Sequence, residues 1–275
     1  MASAPDGTAL PIATLYRIER VRGDASSSTD VHRTEETLNL AEEVPLALIY
    51  NGIEYAVMMV TPCDIAEFVT GFSITEGLMK NVSDIRQIAI AAVDGGLKAD
   101  IRIGADALRT LLARRRRPIA GRTGCGICGS DMASVLQRAT NTVEPYTPEL
   151  PAIHAALTAL REKQILNIGI GMLHAAAWCS PDGRITAIRE DVGRHNALDK
   201  LIGYGLQNDL NFADGFCLLT SRCSYEMTTK AIAAGMRALV SLSAPTALAL
   251  RTAQHSGLTL VSPAKPDNMC ILPRS

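Results

Sequence analysis

The 275-residue chain carries a formal net charge of −1, with 47% hydrophobic and 20% charged residues. That composition supplies a packed core for one large domain or two ordinary ones, and it excludes disorder throughout the chain. The near-zero charge argues against wrapping of duplex nucleic acid, and an aromatic content of 4% argues against base-stacking platforms.

The pattern of apolar and cysteine residues predicts a cytoplasmic protein that does not cross a membrane. No apolar run is long enough to span a bilayer, and the first residues lack a basic leader before an apolar stretch. The seven cysteines are an odd number, and five of them stand singly in apolar surroundings. Single buried cysteines are typical of a reducing compartment.

The first half of the chain predicts a tail, a hairpin and two helices. Residues 1–30 end in DASSSTD, which has a linker composition, so we expect the fold to begin near Val31. PLALIY and IEYAVMMV flank Asn51-Gly52, a pair that favours a type I′ hairpin turn. A helix capped by Thr61 is expected in TPCDIAEFVTGFSITEGLMK, and a second helix in ADALRTLLARRRR.

The second half of the chain predicts strands that alternate with helices. TPELPAI, at 147–153, is expected to be a connection. The expected strands are ILNIGI, HAAAWCSP, RITAI, FCLLT, VSLS and LTLV. The expected helices are EDVGRHNALDKLIGYG, SYEMTTKAIAAGMRAL and PTALALRTAQHSG. This alternation, with apolar strands, predicts an α/β fold built around a layered sheet.

The segment GRTGCGICG separates Cys125 and Cys128 by two residues and surrounds them with glycine. Glycine gives the segment conformational freedom, and Arg122 adds positive charge that stabilises a thiolate. A mobile, electropositive thiolate suits a sulfur carrier that visits a donor and then an acceptor. Three other interpretations stay open: a zinc site lacking a second C-x-x-C, a thioredoxin-type redox pair, and a glycine-rich loop with incidental cysteines.

The segment REDVGRHNALDK packs many charged residues into a strand-to-helix turn. Arg194 and His195 at the start of the helix could hold phosphate, because helix N-termini bind anions. A helix cap with surface ion pairs is the alternative interpretation.

Two further segments carry weaker signals. GIGMLHAAAW resembles half of the zinc-deaminase signature, but Ala176 stands where the general acid/base glutamate would be, so zinc-dependent deamination is disfavoured. His174 is then expected to be a core histidine. In TSRCSYEMTTKA, Ser224 is expected to cap a helix and Cys223 to be a small residue in a tight turn.

Together these segments resemble the formate dehydrogenase accessory sulfurtransferase family, FdhD. The matching segments, from about Val31 to Leu260, are EEVPLALIYNG, TPCDIAEFVTGFSITEG, GRTGCGICG, HAAAW, EDVGRHNALDKLIG, SRCSYEMTTKA, SAPTALAL and LTLV. The resemblance implies a cytidine-deaminase-like layered α/β sheet with a small N-terminal α+β subdomain, in a protein that is often a homodimer. The expected divisions are a disordered tail (1–30), the N-terminal subdomain (31–120), a mobile cysteine loop and linker (121–150) and a deaminase-like α/β domain (151–275).

The resemblance also implies a sulfurtransferase that accepts persulfide sulfur from a cysteine desulfurase. Such a protein would pass the sulfur to the bis-molybdopterin guanine dinucleotide molybdenum cofactor before that cofactor enters the formate dehydrogenase catalytic subunit. By position, Cys125 would hold the persulfide and Cys128 would assist or relay. No resident metal is implied.

The cofactor-binding stretch of the family follows LTLV. The residues that match it by position are Pro263, Ala264, Lys265, Pro266, Asp267 and Asn268. Lys265 is retained, but the family's aromatic residue and second basic residue are missing. Arg122, Arg194 and Lys265 are the expected phosphate ligands, and His195 is a phosphate donor or a guanine contact. Two rival functions stay open: a cofactor chaperone without sulfur chemistry, and a C-x-x-C disulfide oxidoreductase.

Overall fold

The computed structural model describes residues 10–23, 31–115 and 141–272, which form a mixed α/β protein. The strands are β1 (Ala13–Gly23), β2 (Val31–Ala41), β3 (Val44–Tyr50), β4 (Ile53–Val60), β5 (Ile85–Val93), β6 (Gly96–Ile103), β7 (His174–Cys179), β8 (Ile185–Asp191), β9 (Phe216–Leu219), β10 (Ala238–Ser241), β11 (Thr259–Lys265) and β12 (Asn268–Ile271). The helices are α1 (Ile65–Thr75), α2 (Ala105–Arg115), α3 (Leu150–Lys163), α4 (Ile165–Ile170), α5 (Arg194–Gln207), α6 (Tyr225–Ala233) and α7 (Ala247–Ser256), with a short 3₁₀ turn at Val82–Asp84.

The larger sheet has the strand order β12-β11-β10-β9-β7-β8. Strands β9, β10 and β11 are parallel, whereas β7 runs antiparallel to both β8 and β9. The carboxyl ends of β8, β9, β10 and β11 therefore meet at one edge of the sheet, where loops and helix N-termini gather in α/β proteins.

Helices cover both faces of this sheet. Side chains of α5, α6 and α7 share one apolar cluster with strand residues such as Trp178 and Leu239. Side chains of α3 share another cluster with Ala177, Val240 and Val261, which alternate with the first set along their strands. The predicted layered α/β sheet is confirmed at this level, while its likeness to cytidine deaminases stays a prediction.

The N-terminal part has its own four-stranded sheet, with the strand order β4-β3-β6-β5. Helices α1 and α2 pack on it through one apolar cluster that includes Phe68 and Leu111. The predicted hairpin is confirmed, because Asn51 and Gly52 both have positive φ angles, of 48° and 80°.

The two parts meet where helix α1 crosses helix α5 at paired glycines. A methyl group at Gly203 would lie 1.8 Å from the carbonyl oxygen of Glu67, and one at Gly71 would lie 1.8 Å from that of Asp199. Only glycine permits this approach, so the small residues set how closely the N-terminal part rests on the larger sheet.

Four expectations about local structure were wrong. Residues 13–23 form β1, which pairs along its length with β2; cross-strand ion pairs such as Arg20–Glu36 stabilise a segment with little apolar character of its own. ILNIGI is helix α4, and TPELPAI contains the start of helix α3. Helix α1 begins at Ile65 after Asp64, so Thr61 does not cap it. The segment 24–30 lies outside the described residues.

Within the described ranges, none of the helices is both long enough and apolar enough to cross a membrane.

Candidate functional site

The carboxyl edge of the larger sheet brings together several polar residues that are distant in sequence. Strand β8 ends at Asp191, and helix α5 begins three residues later at Arg194. His174, the first residue of β7, lies opposite Asp191 in the strand register. Helix α6 begins after Ser224, at the end of the loop that follows β9.

Asp191 fixes the turn that carries Arg194 and His195. One oxygen of its carboxylate accepts hydrogen bonds from the Gly193 amide at 2.8 Å and the Asn196 side chain at 2.9 Å. The other oxygen accepts one from the Thr61 amide at 3.0 Å and lies 2.7 Å from the Lys200 ammonium. This buried carboxylate therefore ties the start of α5 to the N-terminal part of the chain.

Lys200 completes that anchor. Its side chain is fully buried and also donates to the Thr61 carbonyl at 3.0 Å. Burial alone would lower the pKa of Lys200, but the surrounding groups, the Asp191 carboxylate above all, together outweigh burial and raise the pKa above its ordinary value. Lys200 is thus a buried cation held by its partners, and it is not a titrating group of the site.

A second buried ion pair involves Asp199, the residue directly before Lys200 in α5. The Lys230 ammonium of α6 is 2.8 Å from the Asp199 carboxylate of α5, and Thr75 of α1 donates to Asp199 at 2.7 Å. Three helices therefore meet at one carboxylate. We call these two anchors the buried junction. The first consists of Thr61, Asp191 and Lys200, and the second of Thr75, Asp199 and Lys230.

Around the start of helices α5 and α6, polar atoms are buried without hydrogen-bond partners among the described residues. They are Arg194 Nε, His195 Nε2 and Ser224 Oγ. His195 Nε2 has an ionic partner when the imidazole is protonated, because it lies 2.9 Å from the Glu226 carboxylate. We call Arg194, His195 and Ser224 the sheet-edge site.

The sheet-edge site has the features of an anion site, with one carboxylate, that of Glu226, beside it. Neither Gly193 nor Ser224 caps its helix through a side chain, so the first amide groups of α5 and α6 point outward without that cap. Ser224 therefore occupies the predicted N-cap position of α6, but its side chain does not form the expected capping hydrogen bond. Helix N-termini with an arginine nearby bind phosphate.

His174 belongs with the sheet-edge site, which its sequence context did not show. Burial and the neighbouring positive charge of Arg194 lower the pKa of His174 below its ordinary value. The sequence suggested a core histidine, but the side chain is only partly buried. The strand register that places His174 beside Asp191 could not be read from the local pattern.

The described cysteines divide into buried and exposed thiols. Cys63, Cys179, Cys217 and Cys223 are buried, whereas Cys270 is exposed. Burial raises the pKa of the Cys63 and Cys179 thiols to about 12 and that of Cys223 to about 11. These buried thiols are protonated and inaccessible at neutral pH, so none of them suits sulfur exchange. The prediction that Cys223 lies in the tight connection between a strand and a helix is confirmed, because it stands between β9 and α6.

The segment predicted to bind the cofactor forms a hairpin at the same edge of the sheet. Pro263, Ala264 and Lys265 end β11, and Asn268 begins β12 after a turn at Pro266 and Asp267. Ala264 is buried in the core, while the four residues from Lys265 to Asn268 are exposed. Four strand spacings, about 19 Å, separate the ends of β11 and β8, so the hairpin does not adjoin Arg194 and His195.

The predicted residues Arg122, Cys125 and Cys128 lie outside the described residues. The structure therefore places Arg194 with His195, and Lys265 with its neighbours, but it does not place the cysteine segment against either group. The roles assigned to Cys125 and Cys128 stay predictions.

Comparisons with known proteins agree on one family. The model of the FdhD/NarQ family matches residues 41–274. A sulfur carrier protein FdhD from Cupriavidus necator is 44% identical over 222 residues, covering 80% of this chain and 77% of the relative. One from Xanthomonas euvesicatoria pv. vesicatoria is 38% identical over 273 residues, covering 99% and 94%.

The fold is shared with a solved structure. A crystal structure described as that of a formate dehydrogenase accessory protein from Desulfotalea psychrophila superposes with a TM-score of 0.73 at 22% identity, covering 95% of this chain and 97% of the other. The chain therefore belongs to the FdhD/NarQ family, and the name that its relatives share supports a role as a sulfur carrier.

Proposed function

We propose that the chain accepts persulfide sulfur from a cysteine desulfurase on Cys125. It then passes that sulfur to the bis-molybdopterin guanine dinucleotide molybdenum cofactor, which is its substrate, before the cofactor enters a formate dehydrogenase catalytic subunit. We further propose that it works in the cytoplasm as a homodimer.

The observation that carries this proposal is the distribution of the thiols. Four of the five described cysteines are buried, which leaves Cys125, Cys128 and the exposed Cys270 as candidates for exchange chemistry. Cys125 and Cys128 are flanked by glycine and arginine, the setting that favours a reactive thiolate. Cys270 lies within a strand and has no comparable flank.

The first chemical step is a thiol exchange without net oxidation. The Cys125 thiolate attacks the terminal sulfur of the desulfurase persulfide and forms a new S–S bond. The old S–S bond breaks, and the desulfurase cysteine leaves as a thiolate. The rate depends on the thiolate fraction of Cys125 and on its access to the donor.

The second step must reduce the transferred sulfur by two electrons, because a persulfide sulfur is more oxidised than a sulfide ligand. Attack of the Cys128 thiolate on the Cys125 sulfur supplies those electrons. It releases hydrosulfide to the molybdenum centre and leaves a Cys125–Cys128 disulfide, which a cellular thiol reductant reopens. This step gives Cys128 the relay role expected from its position.

The sheet-edge site and the β11–β12 hairpin are suited to hold the cofactor. Arg194, His195 and the first amides of α5 can bind phosphate groups, and Lys265 offers a further cation on the hairpin. The cofactor is an extended molecule with phosphates and guanine rings, so two separate polar regions along one sheet edge match its chemistry.

The test is to incubate the protein with a cysteine desulfurase and free cysteine, then locate added sulfur by peptide mass spectrometry under non-reducing conditions. We expect one extra sulfur on the GRTGCGICG peptide, absent in Cys125→Ala and retained in Cys270→Ala. The Cys270 variant is the matched control because it removes an exposed thiol elsewhere.

An unmodified GRTGCGICG peptide with an active desulfurase would contradict the carrier mechanism. That outcome would favour the rival in which the protein binds and delivers the cofactor while the cysteines only clamp it. In Cys128→Ala we expect the persulfide to form but its release to slow, and unchanged release would remove the relay role.

A further inference from the structure

Strands β1 and β2 form a two-stranded ribbon that is separate from both larger sheets. Each strand is 11 residues long, and many of the side chains are exposed. Two isolated strands are only marginally stable in water, so a ribbon needs a further strand or a packed face. Helix α4 packs beside Asn39 of β2, which supports the ribbon on that side.

The outer edge of β1 has the features of a strand that pairs with another chain. Among the described strands, only β2 pairs with β1, and their register runs from Ala13 to Gly23 without a bulge. Proteins often block a free edge with proline or a bulge, because its unpaired N–H and C=O groups bind other strands. Strand β1 contains neither, and its Leu15, Tyr16 and Val21 are 53% to 68% exposed.

The sequence of β1 is complementary to itself when it is reversed about Ile18. In an antiparallel pair centred on Ile18, Leu15 lies opposite Val21 of the other strand. In the same pair Arg17 lies opposite Glu19, and each contact occurs twice because the arrangement is symmetric. Apolar pairs and opposite charges at directly opposite positions stabilise strand pairing. Moving the centre by one residue places Arg17 opposite Arg17, or Glu19 opposite Glu19, and like charges destabilise the pair.

The charged residues on one face of the ribbon leave an arginine without an ionic partner. Glu19 lies directly opposite Glu35 of β2, which places two carboxylates side by side. Arg33 lies 2.9 Å from Glu19. Arg17 is exposed and forms no ion pair within the described ranges. In the symmetric pair the partner's Arg17 stands beside Glu19, so the two carboxylates gain a second cation.

We infer that β1 pairs antiparallel with β1 of a second copy of this chain, about a twofold axis at Ile18. The two ribbons then form one four-stranded sheet, with the order β2-β1-β1-β2 across the two subunits. This interface is isologous, because each subunit contributes the same strand. The inference deepens the proposed function by giving the proposed homodimer an interface, while the chemistry of Cys125 does not depend on it.

The first experiment measures the dissociation constant of the dimer of the full chain by sedimentation equilibrium. Arg17→Glu places like charges opposite Glu19 at two symmetric points, so we expect the dissociation constant to rise about tenfold or more. Glu19→Arg should have a similar effect through opposed arginines. The matched control is Arg86→Glu, which reverses an exposed arginine on another edge strand, β5, and should leave the dissociation constant unchanged.

A mixture of the two β1 variants distinguishes the pairing from a general effect of charge. In the mixed dimer, each opposed pair again carries one positive and one negative charge. The mixture of Arg17→Glu with Glu19→Arg should therefore dimerise with nearly the affinity of the unmodified chain. Thermal unfolding of each variant, matched to that of the unmodified chain, shows that the fold is retained.

A cysteine at the axis tests the register. In a chain carrying Cys125→Ala, Cys128→Ala and Cys270→Ala, the further change Ile18→Cys should form a disulfide between subunits on oxidation with diamide. Directly opposite Cα atoms lie about 5 Å apart, which a disulfide can span. The matched control is Arg22→Cys in the same chain, because its two thiols would lie about 27 Å apart along the sheet and should not cross-link.

Four results would overturn the inference. They are a monomeric chain, a dimer that Arg17→Glu leaves unchanged, a mixture that does not regain affinity, and equal cross-linking of Ile18→Cys and Arg22→Cys. The persulfide assay on the same preparations separates this inference from the proposed function. Sulfur on Cys125 of a monomeric chain removes the interface and leaves the carrier role, whereas a dimer weakened by Arg17→Glu without sulfur loading does the reverse.

Discussion

The buried junction and the sheet-edge site contain similar side chains in opposite circumstances. In the buried junction, each charged group has an opposite charge within 2.8 Å and further hydrogen bonds besides. In the sheet-edge site, Arg194 and Ser224 leave buried polar atoms without hydrogen-bond partners among the described residues, and His195 Nε2 faces the Glu226 carboxylate without an assigned hydrogen bond. Because an unpartnered buried polar atom costs free energy, native proteins keep one mainly where a ligand or a function uses it. The charges of the buried junction hold the fold together, whereas those of the sheet-edge site are available for binding.

The largest expected effect is on the buried junction. Lys200→Met should lower the free energy of unfolding by about 3 to 5 kcal/mol, because it leaves the Asp191 carboxylate buried without its cation. Denaturant unfolding measures the loss. The control is Lys98→Met, which breaks the exposed pair with Asp100 and should cost at most about 1 kcal/mol. Equal losses in the two variants would contradict the structural role of the junction.

The glycine crossing beside the junction gives the second effect. Gly203→Ala should cost about 1 to 3 kcal/mol, because its methyl group meets backbone of helix α1. In Gly169→Ala, another helical glycine, the nearest atom lies 3.8 Å from the added carbon. This control should be neutral or more stable by up to about 1 kcal/mol, from helix propensity alone. Similar unfolding curves for both variants would show that the crossing tolerates side chains.

Substitution in the sheet-edge site should change the affinity for anions and leave the free energy of unfolding nearly unchanged. Arg194→Gln should weaken the affinity for inorganic pyrophosphate about tenfold, from the loss of one charged hydrogen bond, while the free energy of unfolding changes by less than about 0.5 kcal/mol. Calorimetry at fixed salt measures the affinity. Arg251→Gln, an exposed helical arginine elsewhere, is the control. Unchanged affinity in Arg194→Gln, or an equal loss of affinity in both variants, would contradict anion binding at the sheet-edge site.

The smallest effect concerns pH. The pKa of His174 is lowered in the folded protein, so the unfolded chain binds a proton more readily than the folded one below about pH 6.5. Stability is therefore lost as the pH falls through that value, and it is unaffected above it. His174→Asn should reduce the stability loss between about pH 7 and pH 5 by less than about 1 kcal/mol. Urea titrations of the unmodified chain and of His174→Asn at each pH measure this difference. An identical loss of unfolding free energy in the two proteins would show that His174 does not contribute to the pH dependence.

The sequence correctly predicted those strands, helices and turns that depend only on residues close together in the chain. Asn51-Gly52 formed the expected turn because both residues accept positive φ angles regardless of their surroundings. The strands HAAAW and FCLLT and the helix after Gly193 also lie where their apolar spacing placed them. ILNIGI misled because an apolar run of six residues fits a buried strand or a helix equally well.

Only some residues of the candidate site could be identified from the sequence. Arg194 and His195 could be chosen from the sequence because they open a helix after a strand. His174 joined them only through strand register, and Leu150, Pro151 and His154 joined the Pro266–Met269 turn only through packing of α3 on the sheet. None of these contacts leaves a trace in the spacing of the residues themselves.

The sequence by itself determined the class of fold, the order of most strands and helices, and the thiol pair that bears the proposed chemistry. These depend on periodicity and on residue type, which are local properties. The tertiary structure alone decided that β1 pairs with β2, that Lys200 and Asp191 are buried together, and which cysteines are inaccessible. Those outcomes depend on partners far away in sequence, because burial and pairing are decided by what the folded chain places alongside each residue.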